Sequence, residues 1–222
     1  MAFDLDHSGL KTKQRKIREE FPEDLGLRVH RSLSWLGRAE AVEGDDDAQF
    51  IFLWIAFNAA YAKEDAFDEY ASSERATFTD FFAKLVSLDD ERLIYDAIWM
   101  KFSGPIRSLM SNKYIFNAFW HHHNGKPGFD DWELRFVKSS RAFAHAIQAQ
   151  DSAQVLGKLF ERLYVLRNQL VHGGATWNSS ANREQVRDGA AILAFLMPIF
   201  IDIIMDHPEQ NWGQPYYPVV EG

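Results

Sequence analysis

Three polar side chains that could act on a phosphate group lie close together in the segment Leu159–Gly174, which reads LFERLYVLRNQLVHGG. They are Arg167, Asn168 and His172. A guanidinium can bind a phosphate through two parallel hydrogen bonds, and an imidazole can donate or accept a proton near neutral pH. The residue types therefore predict a site at which an arginine binds phosphate and a histidine acts as an acid or a base.

The segment that carries these residues has the pattern of an amphipathic helix. At about 100° per residue, Asn168 and His172 lie about 40° apart, whereas Arg167 and His172 lie about 140° apart. Arg167 must therefore use its long side chain to reach His172, or a second chain must complete the site. The leucines that share the apolar face of this helix are Leu159, Leu163, Leu166 and Leu170.

Two glycines, Gly173 and Gly174, end this helix and place His172 in its last turn. The helix dipole favours a cation there, which suits a proton donor or a positive charge that faces phosphate. A plainer interpretation stays open. A histidine before two glycines can simply cap a helix, and an arginine in a late turn suits the dipole without any further role.

The pattern Arg-Asn-x-x-x-His near the end of a late helix, followed by Gly-Gly, resembles the motif of the HEPN superfamily. That motif is an arginine and a histidine separated by a short spacer, often with a polar residue directly after the arginine. Residues 167–172, RNQLVH, fit it as Arg-x4-His, with Asn168 as the polar residue. The segment 52–62, FLWIAFNAAYA, is also similar to a helix found in this superfamily.

This resemblance implies a metal-independent endoribonuclease without any cofactor, as in many toxin and defence proteins of the superfamily. RNA carries its own nucleophile, the 2′-OH beside each phosphate, so the enzyme need only move protons and stabilise charge. His172 would be the acid or base, Arg167 would bind the phosphate, and Asn168 would orient the histidine or the phosphate. The resemblance also implies a homodimer in which the motif helix pairs with its copy.

Two alternatives to a nuclease stay open. Some members of the superfamily bind RNA or nucleotides without cutting them, and Arg167 and His172 would then be ligands only. The chain could instead be a structural or interaction domain, such as the partner of an antitoxin in a toxin–antitoxin pair. In that case RNQLVH would be no more than a helix end.

The net charge of −8 argues against broad, non-specific binding of nucleic acids, but it leaves room for a small basic groove. Lys158 and Arg162 are candidates on the motif helix, and Trp177 in the next loop could stack on a base. The plainer interpretations are a solvated helix face for Lys158 and Arg162 and a core contact for Trp177. Further basic candidates near the start are Lys11, Lys13, Arg15, Lys16 and Arg18.

Composition indicates a protein with a large core in a reducing compartment. The chain has 222 residues, is 46% hydrophobic, and contains 18 Phe and no Cys, which excludes disulfides and thiolate chemistry. The first residues lack the basic and apolar regions of a signal peptide. The longest apolar segment, Ala190–Met205, contains Pro198 and Asp202 and is too short to span a membrane. We therefore expect a cytoplasmic protein with no membrane partner.

Helical periodicity covers most of the chain, and no alternating strand pattern is clear. It predicts a single all-α domain of about seven to nine helices around an antiparallel bundle. Residues 1–20 are expected to form a polar, basic arm or a short helix, and residues 207–222 an irregular tail. One helix is predicted from Pro105 to Trp120. Another is predicted from about Asp130 to Gln150, with four apolar residues facing inward: Leu134, Val137, Ala144 and Ile147.

Three consecutive histidines, His121–His123, raise the question of a metal site. Adjacent residues of a helix diverge by about 100°, so one ion could rarely bind all three imidazoles. No His-x-x-x-His pair and no cysteine is present to complete a site. The sequence therefore predicts no metal site here, but a polar helix end followed by a loop.

Overall fold

Helices provide the regular structure of the protein. The computed structural model describes residues 4–62 and 71–219, and these residues form ten α-helices and no β-strand, which confirms the predicted all-α fold. Short 3₁₀ turns lie at Arg18–Glu20 and Lys113–Ile115, and a π-helical turn lies at Ala97–Lys101. The helices are α1 (His7–Ile17), α2 (Glu23–Glu40), α3 (Asp46–Tyr61), α4 (Ala71–Ser87), α5 (Leu93–Asp96), α6 (Ser103–Ser111), α7 (Asn117–His123), α8 (Trp132–Gln148), α9 (Ser152–Val171) and α10 (Arg183–Asp206).

Helix α3 lies at the centre because it is apolar on nearly every side. It packs against α2, α10 and α9. The Phe57 and Phe160 rings, on α3 and α9, lie 4.5 Å apart between centroids, and Phe82 of α4 lies 4.7 Å from Phe160. Phe200 of α10 reaches the same cluster, 6.0 Å from Phe82. Four helices therefore share one aromatic core.

Helix α10 approaches α3 and α9 closely at Gly189. A Cβ at this position would lie 2.9 Å from the Phe50 ring and 3.1 Å from the Leu163 side chain, so any larger residue would force the neighbouring side chains to shift. Within the described residues, α10 is the one helix long and apolar enough to cross a membrane, with a mean hydropathy of 2.0. However, 72% of that apolar window is buried inside the fold, as expected for the core helix of a bundle.

The first twenty residues contain a packed helix, which was one of the two predicted outcomes. Leu10 is fully buried. Lys13 forms ion pairs of 2.6 Å with both Asp202 and Asp206 of α10. Burial raises the pKa of Asp202, although the hydrogen bond and the charge of Lys13 oppose this shift. Helix α1 is therefore held against α10 by a lysine that the carboxylates neutralise.

Two helix predictions were wrong in detail. The predicted helix from Pro105 to Trp120 is divided into α6 and α7, because Asn112 is extended and its side chain accepts a hydrogen bond from the Tyr114 amide. In α8, Leu134, Val137 and Ala144 face solvent rather than the core. The residues that α8 turns inward are Phe136, Phe143, Ala146 and Ile147.

A buried arginine caps the C-terminal end of α3 by donating hydrogen bonds to its last carbonyl groups. Arg28 of α2 is 1% exposed, and its Nη1 donates to the carbonyls of Ala60 and Ala62 at 2.7 and 3.1 Å. Its Nη2 donates to the Gly213 carbonyl at 3.1 Å. Burial lowers the pKa of Arg28 to about 10, and Asp24 opposes that shift. The guanidinium is still charged at neutral pH, so it ties α2, α3 and the tail together with charge-assisted hydrogen bonds.

The Arg28→Ala variant is expected to lose about 2–5 kcal/mol of unfolding free energy, because each buried acceptor left without a donor costs about 1–3 kcal/mol. Urea-induced unfolding at neutral pH measures the loss. Arg38→Ala is the matched control, since Arg38 lies on the same helix but is exposed, and it should cost less than about 1 kcal/mol. Equal losses in the two variants would contradict a structural role for Arg28.

Candidate functional site

Helix α9 carries the three predicted site residues at its C-terminal end. Asp151 caps the start of the helix by accepting a hydrogen bond of 3.0 Å from the Gln154 amide. The last helical residue is Val171, and His172 is the C-cap. Gly173 then takes a positive φ of 71°, a conformation that favours glycine and ends the helix. The predicted helix and its end are therefore present.

Arg167 and Asn168 are joined directly. The Nη1 of Arg167 donates to Oδ1 of Asn168 at 2.9 Å. Around the axis of α9, the side chain of Asn168 lies about 100° from that of Arg167 and only about 40° from that of His172. The hydrogen bond therefore draws the guanidinium towards the side of the helix that carries the histidine. Asn168 therefore holds the arginine side chain, while its predicted role in orienting the histidine or the phosphate stays a prediction.

The His172 side chain is open to solvent. The residue is exposed, and its imidazole makes no hydrogen bond or ion pair with the part of the chain that the structure describes. Only its backbone amide is used, in a bond of 3.0 Å to the Asn168 carbonyl. An imidazole in this position can reach a bound substrate without first breaking a contact within the protein.

The loop after α9, residues 173–182, is held by carboxylates at the start of α3. Asp47 is 8% exposed; it accepts from the Asn178 amide at 2.9 Å and from Arg183 Nη2 at 2.7 Å. Asp45 accepts from Nε1 of Trp177 at 3.2 Å. The hollow beneath the loop is too small to hold a water molecule. The core helix α3 thus fixes the backbone that follows His172.

Gln169 is a site residue that the sequence prediction missed. Its Nε2 donates to the Tyr114 carbonyl at 2.7 Å, and its Oε1 accepts from Nδ2 of Asn182 at 2.9 Å. Gln169 therefore connects the end of α9 both to the turn before α7 and to the loop before α10. The available signal was a polar residue inside the RNQLVH motif that points about 100° away from Asn168.

The three predicted substrate-binding residues lie in different surroundings. Lys158 is fourteen residues before His172, about 21 Å along the helix axis, and its Nζ lies 3.5 Å from Glu161. Arg162 is 2% exposed, with its guanidinium carbon 4.4 Å from the centre of the Phe116 ring. Within one chain, neither is placed beside His172. Trp177 is different, because it is 73% exposed and lies in the loop that follows the histidine.

The three histidines of α7 have separate contacts. His123 stacks on Phe119 at 4.0 Å between ring centroids. His122 lies 3.5 Å from Asp130. His121 packs against Phe129 at 4.5 Å, and burial together with the charge of Lys126 lowers its pKa. The described residues contain no group of three His, Cys, Asp or Glu side chains placed to hold a metal ion.

Comparisons of the chain with protein-family models, with curated proteins and with solved structures found no match. The structure itself defines the class of the protein as an all-α helix bundle. At the end of α9 it presents an arginine bonded to an asparagine and, one turn later, an exposed histidine.

Removing the Asp47 carboxylate is expected to loosen the loop that follows His172. Asp47→Ala removes the acceptor of the Asn178 amide and of Arg183 Nη2, which should cost about 1–3 kcal/mol of unfolding free energy. Amide hydrogen exchange should become faster across residues 174–182. Asp46→Ala is the matched control, because that carboxylate bonds to none of the described residues. Unchanged exchange in Asp47→Ala would show that the loop is held by other contacts.

Proposed function

We propose that the chain is a metal-independent endoribonuclease of HEPN type that acts in the cytoplasm. One observation supports this most strongly. Arg167 is turned by its bond to Asn168 towards the face of α9 that presents the exposed His172. A phosphate bound by the guanidinium would therefore lie on the same side of the helix as an imidazole that is open to solvent.

The proposed reaction is an attack of the RNA 2′-OH on the adjacent phosphorus. The bond from O2′ to phosphorus forms, and the bond from phosphorus to O5′ breaks, which leaves a cyclic 2′,3′-phosphate and a free 5′-OH. A histidine takes the proton of the 2′-OH, and a protonated histidine gives one to the leaving O5′. Arg167 stabilises the extra negative charge on the phosphate oxygens in the transition state.

Replacing His172 is the direct test of this proposal. His172→Ala should lower the rate of RNA cleavage by about 10²–10⁴-fold, because it removes the acid–base group. The side chain is exposed, so the unfolding free energy should fall by only about 0.3–1 kcal/mol. Arg167→Ala should impair both cleavage and RNA binding, and Asn168→Ala should have the mildest effect. Cleavage is followed on labelled RNA with and without a chelator, which should not inhibit.

His145→Ala is the matched control, because His145 is an exposed histidine on α8; it should cleave RNA like the wild type. A folded His172→Ala protein that cleaves RNA at the wild-type rate would defeat the proposal, and so would cleavage that requires Mg²⁺. Binding of RNA that depends on Arg167 and His172 without any cleavage would instead favour a non-catalytic RNA-binding protein.

The nuclease proposal includes a homodimer that pairs the outward faces of two α9 helices. Gly157 lies about 20° around the helix from Asn168, and no atom from another part of the described chain lies within 4 Å of a Cβ built there. A glycine inside a helix costs about 1 kcal/mol relative to alanine, and close approach of a second backbone would account for it. An open hollow of about 220 Å³ beside Gly157 could receive a side chain of the partner.

The dimer can be tested by mixing two inactive variants. If each active centre uses Arg167 of one chain and His172 of the other, then Arg167→Ala and His172→Ala are inactive alone and recover activity when mixed. Light scattering should give twice the mass of 25.6 kDa at micromolar concentration. A monomeric mass, or a mixture as inactive as its components, would exclude a shared active centre.

A further inference from the structure

One part of this acidic protein contains few carboxylates and is therefore net basic. Residues 97–150 contain seven Lys and Arg against three Asp and Glu, whereas the whole chain contains 24 against 32. Residues 97–129 contain no carboxylate side chain at all. This part forms α6, α7 and α8, which contact one another or α9. A polyanion would be attracted to this side of the molecule despite the negative net charge.

Two exposed aromatic residues lie in this basic part. Tyr114 is 48% exposed and Trp120 is 36% exposed. Their rings pack at nearly right angles against Phe119, at 5.4 and 5.2 Å between centroids. The Nζ of Lys113 lies 5.3 Å from the Tyr114 ring centre. We call Lys113, Tyr114 and Trp120 the aromatic platform, because the contacts with Phe119 hold both rings while their surfaces remain accessible.

The aromatic platform is attached to the candidate site. The Tyr114 carbonyl accepts two hydrogen bonds of 2.7 Å, one from Nε1 of Trp120 and one from Nε2 of Gln169. Gln169 lies two residues after Arg167, and it also bonds to Asn182 at the end of the loop that carries Trp177. Exposed aromatic rings therefore lie on both of the segments that Gln169 connects to the end of α9.

We propose that the aromatic platform binds single-stranded RNA by stacking bases on Tyr114 and Trp120, while Lys113 faces the phosphates. The inference rests on the proposed function, because the RNA it holds is the strand whose phosphate reaches Arg167 and His172. Aromatic stacking on bases tolerates any sequence and contributes strongly to single-strand binding. Double-stranded RNA would be excluded, since its bases are stacked on one another and cannot reach the rings.

The test measures binding of a short labelled oligouridylate by fluorescence anisotropy, with the full-length His172→Ala protein as the parent so that the strand stays intact. A strand of the same length without bases serves as the second probe. In this parent, Tyr114→Leu and Trp120→Leu should each weaken binding of oligouridylate by about five-fold to more than 100-fold. Neither change should alter the weaker binding of the strand without bases. Tyr114→Phe keeps the ring and should bind like the parent.

The matched control is Trp35→Leu, because Trp35 has the same 36% exposure on α2, outside the basic part, and should bind like the parent. The proposal that the platform binds RNA is overturned if both Tyr114→Leu and Trp120→Leu bind oligouridylate like the parent. It is also overturned if the parent binds no RNA. Platform-dependent binding by a wild-type protein that never cleaves RNA would support the platform and refute the nuclease. RNA cleavage by Tyr114→Leu with an unchanged KM would support the nuclease and refute the platform.

Discussion

The surrounding helices of the fold are arranged to bury α3. A helix that is apolar on nearly every side must be covered on nearly every side, and α2, α9 and α10 supply that cover. Its polar ends still need partners inside the fold. Arg28 donates to the carbonyls at the C-terminal end, while Asp47 at the N-terminal end accepts from Asn178 and Arg183. Each end of the core helix thus holds a segment distant in the sequence.

The candidate site depends on this arrangement without using any residue of α3 for chemistry. Leucines on the buried face of α9 set the rotation of that helix, so Asn168 and His172 face outward. The loop after His172 is fixed to α3 through Asp47, and the turn before α7 is fixed to α9 through Gln169. The exposed imidazole consequently lies between two segments that hydrogen bonds tie to the rest of the fold.

The charged residues are distributed unevenly over the chain. Most carboxylates lie outside residues 97–150, and where they meet cations they often neutralise them within the fold, as Asp202 and Asp206 do with Lys13. Exposed cations remain on α8, where Lys138 and Arg141 form no ion pair with any described residue. A net charge of −8 therefore does not describe residues 97–150, which carry more cations than carboxylates.

The all-α class, the start and end of α9 and the exposure of His172 could be predicted from local sequence, because periodicity, capping residues and glycines act within a few residues. Packing between helices, which local sequence does not reveal, places Arg162 against Phe116 and lets Gln169 connect two distant segments. The same packing leaves Leu134 of α8 exposed and turns Phe136 towards the neighbouring helices. Aliphatic spacing fits several rotations of a helix, and the choice among them depends on which neighbouring helices offer a surface to cover.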